Sequence, residues 1–221
     1  MKEKRDKISS YLITYIENKV FPIYLNNEKG HGIDHINYVI DRSLELSDSL
    51  DVNLNMVYTI ASYHDIGHYV DAKNHEKISA EMMSNDINLK RFFNDEQLSI
   101  IKEAIYDHRA SFDGEPRSIY GKIVSSADRN ISVDDAIERT YLYIVEHYSD
   151  YTLDQIIDRS YNHLKEKFGV NGYANSFIRD AKYEKYLKDL QSLLANKEQF
   201  VKRHKKIIKK MCDLYEVGKK Y

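Results

Sequence analysis

One cysteine, Cys212, is all the sulfhydryl chemistry this 221-residue chain has. That excludes an internal disulfide and any zinc site built from several thiolates, and it fits a reducing compartment. Proline and glycine are scarce, at two and eight residues, while 31% of the residues are charged with both signs mixed. Such a balance favours a mainly helical protein with solvated outer faces. No apolar run is long enough to span a bilayer. The formal net charge of −2 argues against capture of nucleic acid by whole-molecule charge. The basic N-terminus, MKEKRDKISSYLITYIENKV, has its apolar positions interrupted by Ser, Thr, Tyr and Glu, so it does not read as a signal peptide and a cytoplasmic location is expected. Tryptophan is absent and tyrosine occurs nineteen times, a bias with no functional reading.

The most informative stretch is Asn53–Asp71, NLNMVYTIASYHDIGHYVD. At helical spacing Val57, Ile60 and Ala61 share an apolar face, and His64 falls on that face one turn later. Asn53 is suited to cap the helix and Gly67 to stop it, which places His64 and Asp65 in the last turn. An apolar stripe that ends by turning an imidazole and a carboxylate inward is costly unless a cation or several donors meet the carboxylate. A metal ion is the simplest way to meet that cost.

The rest of the chain reads as all-α. Helical periodicity runs over Asp6–Leu25, with Pro22 disturbing the end, and from Asp34 as cap to about Leu50. Asn74 should cap His75–Ile87, and Asn94 with Gln97 should form a capping box for Asp95–Asp107. Ser118 opens a helix on which Tyr120, Val124 and Asp128 lie four apart. Ser132–Tyr148 and Thr152–Phe168 are amphipathic, the second with a Thr152/Gln155 box and Gly169 at its end. A long helical tail from Asp180 to about Val217 is expected to break near Asn196. There is no internal repeat.

Six of the nine histidines fall between His31 and His108. His35 and His75 each follow an Asx cap, where a helix N-terminus favours the neutral imidazole that a metal needs. His64 and His108 each end an apolar stripe. Asp65 and Asp128 can neutralise charge. Imidazoles with carboxylates and no thiolate suit Mn, Fe, Co, Ni, Zn or Mg, not a structural zinc.

His35 in GHGIDHINYVI, His64-Asp65 in ASYHDIGH and Asp128 in IVSSADR, in that order on successive helices, resemble the H…HD…D signature of the HD-domain metal-dependent phosphohydrolase superfamily. The resemblance covers roughly 26–135, which would be the core of a single domain, with 136–221 as a C-terminal helical extension. It implies an all-helical bundle in which His35, His64, Asp65 and Asp128 bind one divalent metal. Some members hold two ions through an H…HD…H…H…D pattern in which the Asp of the pair bridges, and His75 and His108 stand where the additional histidines would be. Many relatives have Lys three residues after that Asp; here it is His68, so its role passes to His68 or Lys73, or is lost.

The resemblance further implies hydrolysis of a small phosphorylated substrate such as a nucleotide, with Asp65 and His64 at the catalytic centre and a metal-activated water as nucleophile. Lys73, Arg109, Arg129 and Arg117 are the cations that stand near by sequence to offset phosphate charge. Two other classes are compatible: a non-hydrolytic nucleotide-binding regulator that keeps its metal, and a di-iron oxygenase. A homo-oligomer is compatible as well, and a membrane partner is not expected. Taken alone, His64 reads as a packed core histidine. His31, His147, His163 and His204 have no partner pattern. The basic run Lys202–Lys210 reads as the solvated face of a helix with Ile207, Ile208 and Met211 inward, and Tyr141, Tyr143, Tyr148 and Tyr151 read as packing residues.

Overall fold

The computed structural model describes residues 5–129 and 131–218, and the first four residues of the basic N-terminal stretch lie outside them. Among the described residues there are ten α-helices and no strand. The all-α expectation holds. The helices are α1 Ser10–Lys19, α2 Ile33–Leu46, α3 Leu54–Tyr63, α4 His75–Ser84, α5 Asp95–Tyr106, α6 Ile119–Ala127, α7 Val133–His147, α8 Leu153–Phe168, α9 Ala181–Leu194 and α10 Lys197–Gly218. The chain divides into two compact units, one comprising the described residues up to Arg129 with Asn175–Arg179, the other the described remainder.

In the first unit α3 is the axis, with every residue from Met56 to Tyr63 buried. It packs against α2, α5 and α6, whose apolar stripes include Ile36, Val39, Ile40, Ile101, Ile105, Ile123 and Val124. Each such side chain withdrawn from water stabilises the unit by about 1.5–3 kcal/mol, which is why a ten-residue helix of modest propensity holds here. The Asn53 side chain accepts from Asn55 N at the start of α3, as expected. At its far end Tyr63 Oη donates to Asp86 Oδ2 at 2.6 Å and Tyr24 Oη donates to Ser62 O at 2.9 Å. Those bonds fix the rotation of α3 where His64 follows.

Several boundaries moved. The helix stops at Tyr63, with His64 as its C-terminal cap residue, and turns carry the chain on through Asp65. Gly32, not Asp34, precedes α2, so Asp34 lies in the first turn as a dipole-complementing acid. Asn74 does precede α4, but its side chain donates to Asp71 Oδ2 at 2.7 Å and makes no cap bond. α4 also ends at Ser84, and a 3₁₀ turn, Ile87–Arg91, follows. Pro22 sits in a 3₁₀ segment, Phe21–Asn26, after α1 ends at Lys19. Both capping boxes are present, at Asn94/Gln97 and Thr152/Gln155.

Gly67 lies where the turn after α3 crosses α4. Its N–H donates to Ser79 Oγ at 3.0 Å, and a Cβ there would stand 2.7 Å from Ile78 Cγ2 and 2.9 Å from Ser79 N. The contact joins the turn that bears Asp65 to the helix that bears His75. Gly67→Ala is therefore expected to destabilise the protein by about 1–3 kcal/mol in denaturant melts.

The second unit packs α7, α8, α9 and α10 through Ile137, Ile144, Ile157, Leu164, Tyr186, Leu190 and Phe200. The helical tail breaks at Ala195–Asn196, as the sequence indicates. In the basic run the lysines are exposed while Ile207 is buried, as expected of a solvated face. Tyr143 departs from the packing expectation, since it is exposed and stacks on His147. His204 is fully buried between Tyr141 and Phe200, with no hydrogen-bond partner for either ring nitrogen among the described residues. Burial pushes its pKa down to about 4. The unfolded chain takes the proton first, so stability is complete above the ordinary histidine value and is lost as pH falls from there towards 4. His204→Phe should remove that part of the acid slope, on the order of 2 kcal/mol in urea melts between pH 7 and 4.

Candidate metal centre

Every histidine expected to ligate is brought to one place by the end of a helix. His35 lies in the first turn of α2 and His75 is the first residue of α4; His64 caps α3 and His108 follows the cap residue of α5. All four are buried, as is Asp65 at 2% exposure.

The donors form two nests that share Asp65. Its Oδ2 lies 3.4 Å from Nε2 of His35 and 3.4 Å from Nε2 of His64. Those two nitrogens are 3.3 Å apart, and Asp128 Oδ1 stands 3.2 Å from His35 Nε2 and 3.9 Å from His64 Nε2. The other oxygen, Oδ1, lies 3.2 Å from His75 Nε2 and 3.4 Å from His108 Nε2, which are 3.2 Å from each other.

Tautomers decide what these distances mean. His64 Nδ1 donates to Ala61 O at 2.8 Å, His75 Nδ1 to Ala72 O at 2.9 Å and His108 Nδ1 to Ile105 O at 2.6 Å. A carbonyl can only accept, so each Nδ1 carries a proton and each ring turns Nε2 inward, where His64 can hold a second proton until an ion displaces it. In the His75–His108 pair the two Nε2 atoms face each other at 3.2 Å, and two lone pairs at that distance repel unless a proton or a metal ion lies between them. These three rings are each oriented by a hydrogen bond at the far nitrogen, as metal-binding histidines are. The residues fit a divalent ion.

The electrostatics agree. Burial disfavours the charged form of His64, but the Asp65 carboxylate outweighs it and lifts the pKa to about 9. Burial likewise opposes ionisation of Asp65 and Asp128, yet the facing imidazoles hold both carboxyls well below the usual range. Burial lowers His75 and takes His68 down to about 4, the latter with help from His31. The pocket is thus arranged to receive positive charge, and a proton on His64 competes for it.

The remaining candidates are less uniform. His68 is buried, stacked on His31, and its Nδ1 has no hydrogen-bond partner among the described residues. Arg109 Nη1 donates to Lys73 O at 2.6 Å and to Glu76 Oε2 at 3.1 Å, leaving its guanidinium partly exposed beside His75; the Lys73 side chain is in solvent. Arg129 is buried, with Nη2 on Ser125 Oγ at 2.8 Å, Nε on Asn175 O at 3.2 Å and Nη1 3.9 Å from Asp128 Oδ2. Arg117 grips Asp107 through Nε and Nη2 and so anchors the loop after α5.

Two features lay outside the sequence pattern. His31, for which spacing gave no partner, sets Nδ1 2.7 Å from Asp65 Oδ2. Its place four residues before His35 was the one available signal. The segment Asn175–Arg179 also braces the end of α6: Ser126 Oγ accepts from Phe177 N at 2.8 Å and from Ile178 N at 3.2 Å. Nothing local in that loop announces the contact.

Residues 32–130, which hold all six expected ligands, match the model of the family described as HD domain. This stretch is an HD domain. The His/Asp groups that could hold a metal lie within or beside this stretch. Over 84 residues the chain is 36% identical to a protein of Clostridium beijerinckii described as uncharacterized, a match covering 36% of this chain and 53% of that one. The chain thus spans about half the length of that relative. A crystal structure described as a predicted HD superfamily hydrolase from an uncultured Thermotogales bacterium is similar with a TM-score of 0.48 and 24% identity, covering 70% of this chain and 87% of the other. No helix is long and apolar enough to cross a membrane among the described residues.

Because His64 rests protonated, metal uptake near pH 7 should release about one proton per chain. Calorimetry in buffers of different ionisation enthalpy measures it, and apparent affinity should fall as pH drops.

Proposed function

We propose that the protein is a metal-dependent phosphohydrolase that cleaves a phosphate ester of a nucleotide or another small phosphorylated molecule. The observation that carries this reading is Asp65, whose two carboxylate oxygens face two separate imidazole nests. In it His35, His64, Asp65 Oδ2 and Asp128 would hold one divalent ion, and His75, His108 and Asp65 Oδ1 a second. Ions so held supply an acidified water as nucleophile and neutralise charge on the phosphoryl oxygens.

The chain's own residues do the positioning. Asp65 and His64 fix the centre of the site, and Asp128 is backed by the buried Arg129 guanidinium. On the substrate side, Arg109 and the exposed Lys73 stand at the His75 end, where a cation can pair with phosphate oxygens. His68, in the position where relatives carry Lys, offers an unengaged Nδ1 on the inner face. Arg117 does not belong to this set, because its guanidinium is held by Asp107.

Phosphate release should be measured with Mn, Fe, Co, Ni, Mg and Zn against generic phosphoesters and a nucleotide panel. Metal-dependent turnover is expected, falling by roughly a hundredfold or more in Asp65→Asn. Turnover that needs no metal, or that survives the substitution, overturns the proposal. The imidazole-rich, carboxylate-bridged donor set also suits iron, so oxygen consumption by the iron-loaded protein is the measurement that would favour a di-iron oxygenase instead.

A further inference from the structure

Asp65 has a closer neighbour than any of the proposed ligands. His31 Nδ1 stands 2.7 Å from Oδ2, against 3.4 Å for Nε2 of both His35 and His64. The approach differs in kind as well as distance. His64, His75 and His108 give Nδ1 to a carbonyl and turn Nε2 inward, whereas His31 turns Nδ1 towards the carboxylate. An ionised carboxylate only accepts, so His31 is a donor to Asp65.

The ring is held in place from two sides. Asn27 Nδ2 donates to His31 O at 2.9 Å and to Asp65 O at 3.0 Å, while its Oδ1 accepts from Tyr69 N at 2.9 Å. One side chain therefore ties the backbone of His31 to the turn that carries Asp65. The face of the ring stacks on His68 with centroids 3.9 Å apart and planes at 15°.

An aspartate carboxylate turns readily about its last torsion, which is broad and roughly two-fold. If Asp65 is to divide its oxygens between two nests, something has to stop that rotation. A charge-assisted N–H bond on one oxygen does so. We propose that His31 is a positioning residue that locks the Asp65 carboxylate, with Oδ2 towards His35, His64 and Asp128 and Oδ1 towards His75 and His108. The second nest is the one that depends on this lock, because Asp65 Oδ1 is its one carboxylate oxygen beside two imidazoles, whereas the first nest also has Asp128. The inference rests on the metal-binding reading under Proposed function.

Two substitutions separate the hydrogen bond from the packing. His31→Phe keeps a ring to stack on His68 and removes the donor. His31→Asn removes the ring and leaves an amide N–H close to the place of Nδ1. Equilibrium dialysis against Mn or Co with metal analysis reads stoichiometry and affinity without any substrate, and helical circular dichroism confirms folding. His31→Leu serves if the Phe variant does not fold. Wild type should bind two ions. His31→Phe should keep the first and bind the second at least about tenfold more weakly, and His31→Asn should stay within about threefold of wild type.

Two tightly bound ions in His31→Phe, or equal losses at both nests in the Phe and Asn variants, overturn the inference while leaving the metal reading intact. A wild-type chain that takes up fewer than two ions overturns the two-nest reading and this inference with it.

Discussion

Removing an ionised carboxylate from water costs several kcal/mol unless donors or a cation replace the lost hydration. Asp65 is in that position, and its partners are imidazoles: His31, His35 and His64 around one oxygen, His75 and His108 around the other. The side chains set against it are imidazoles and not lysine or arginine. The arrangement asks for positive charge that the protein supplies only by protonating a histidine, as the raised pKa of His64 shows. A divalent ion could answer the same demand without that proton, and the helices around the site bring the donors together.

The fold serves this through helix ends, not helix faces. A side chain in a first turn or at a cap lies where the backbone still has unmatched carbonyls or N–H groups. His64, His75 and His108 each use a nearby carbonyl to fix the tautomer, so the same backbone that ends or begins a helix also aims the ring. The apolar weight lies elsewhere, in Val57, Ile60, Ala61, Ile101, Ile105 and Val124, all fully buried. Stability and chemistry are thereby kept apart: the stripes hold the helices together, and their termini are left free to carry polar groups inward.

Around the nests the cations divide into two kinds. Arg129 and Arg117 have their guanidiniums engaged by protein groups and act on the shape of the site, through Asp128 and through the loop after Asp107. Arg109 and Lys73 remain in part accessible to solvent. Four cations that look equivalent by proximity along the chain are thus sorted by what each one touches.

The sequence by itself determined the helical class, most helix positions, both capping boxes and six His and Asp residues that the fold brings together around Asp65. These follow from period, cap chemistry and order along the chain, which are local properties. It misplaced the cap of α2, since Asp34, read as the cap, lies in the first turn after Gly32. The partner of His31, the brace of α6 by Asn175–Arg179 and the capture of Arg117 by Asp107 were likewise closed to it. Each joins groups brought together by folding of the chain between them, and a contact across that distance leaves no period and no cap to read. Which oxygen of Asp65 faces which nest is also a tertiary fact, since it depends on the helices meeting in one place and not on the identity of any residue.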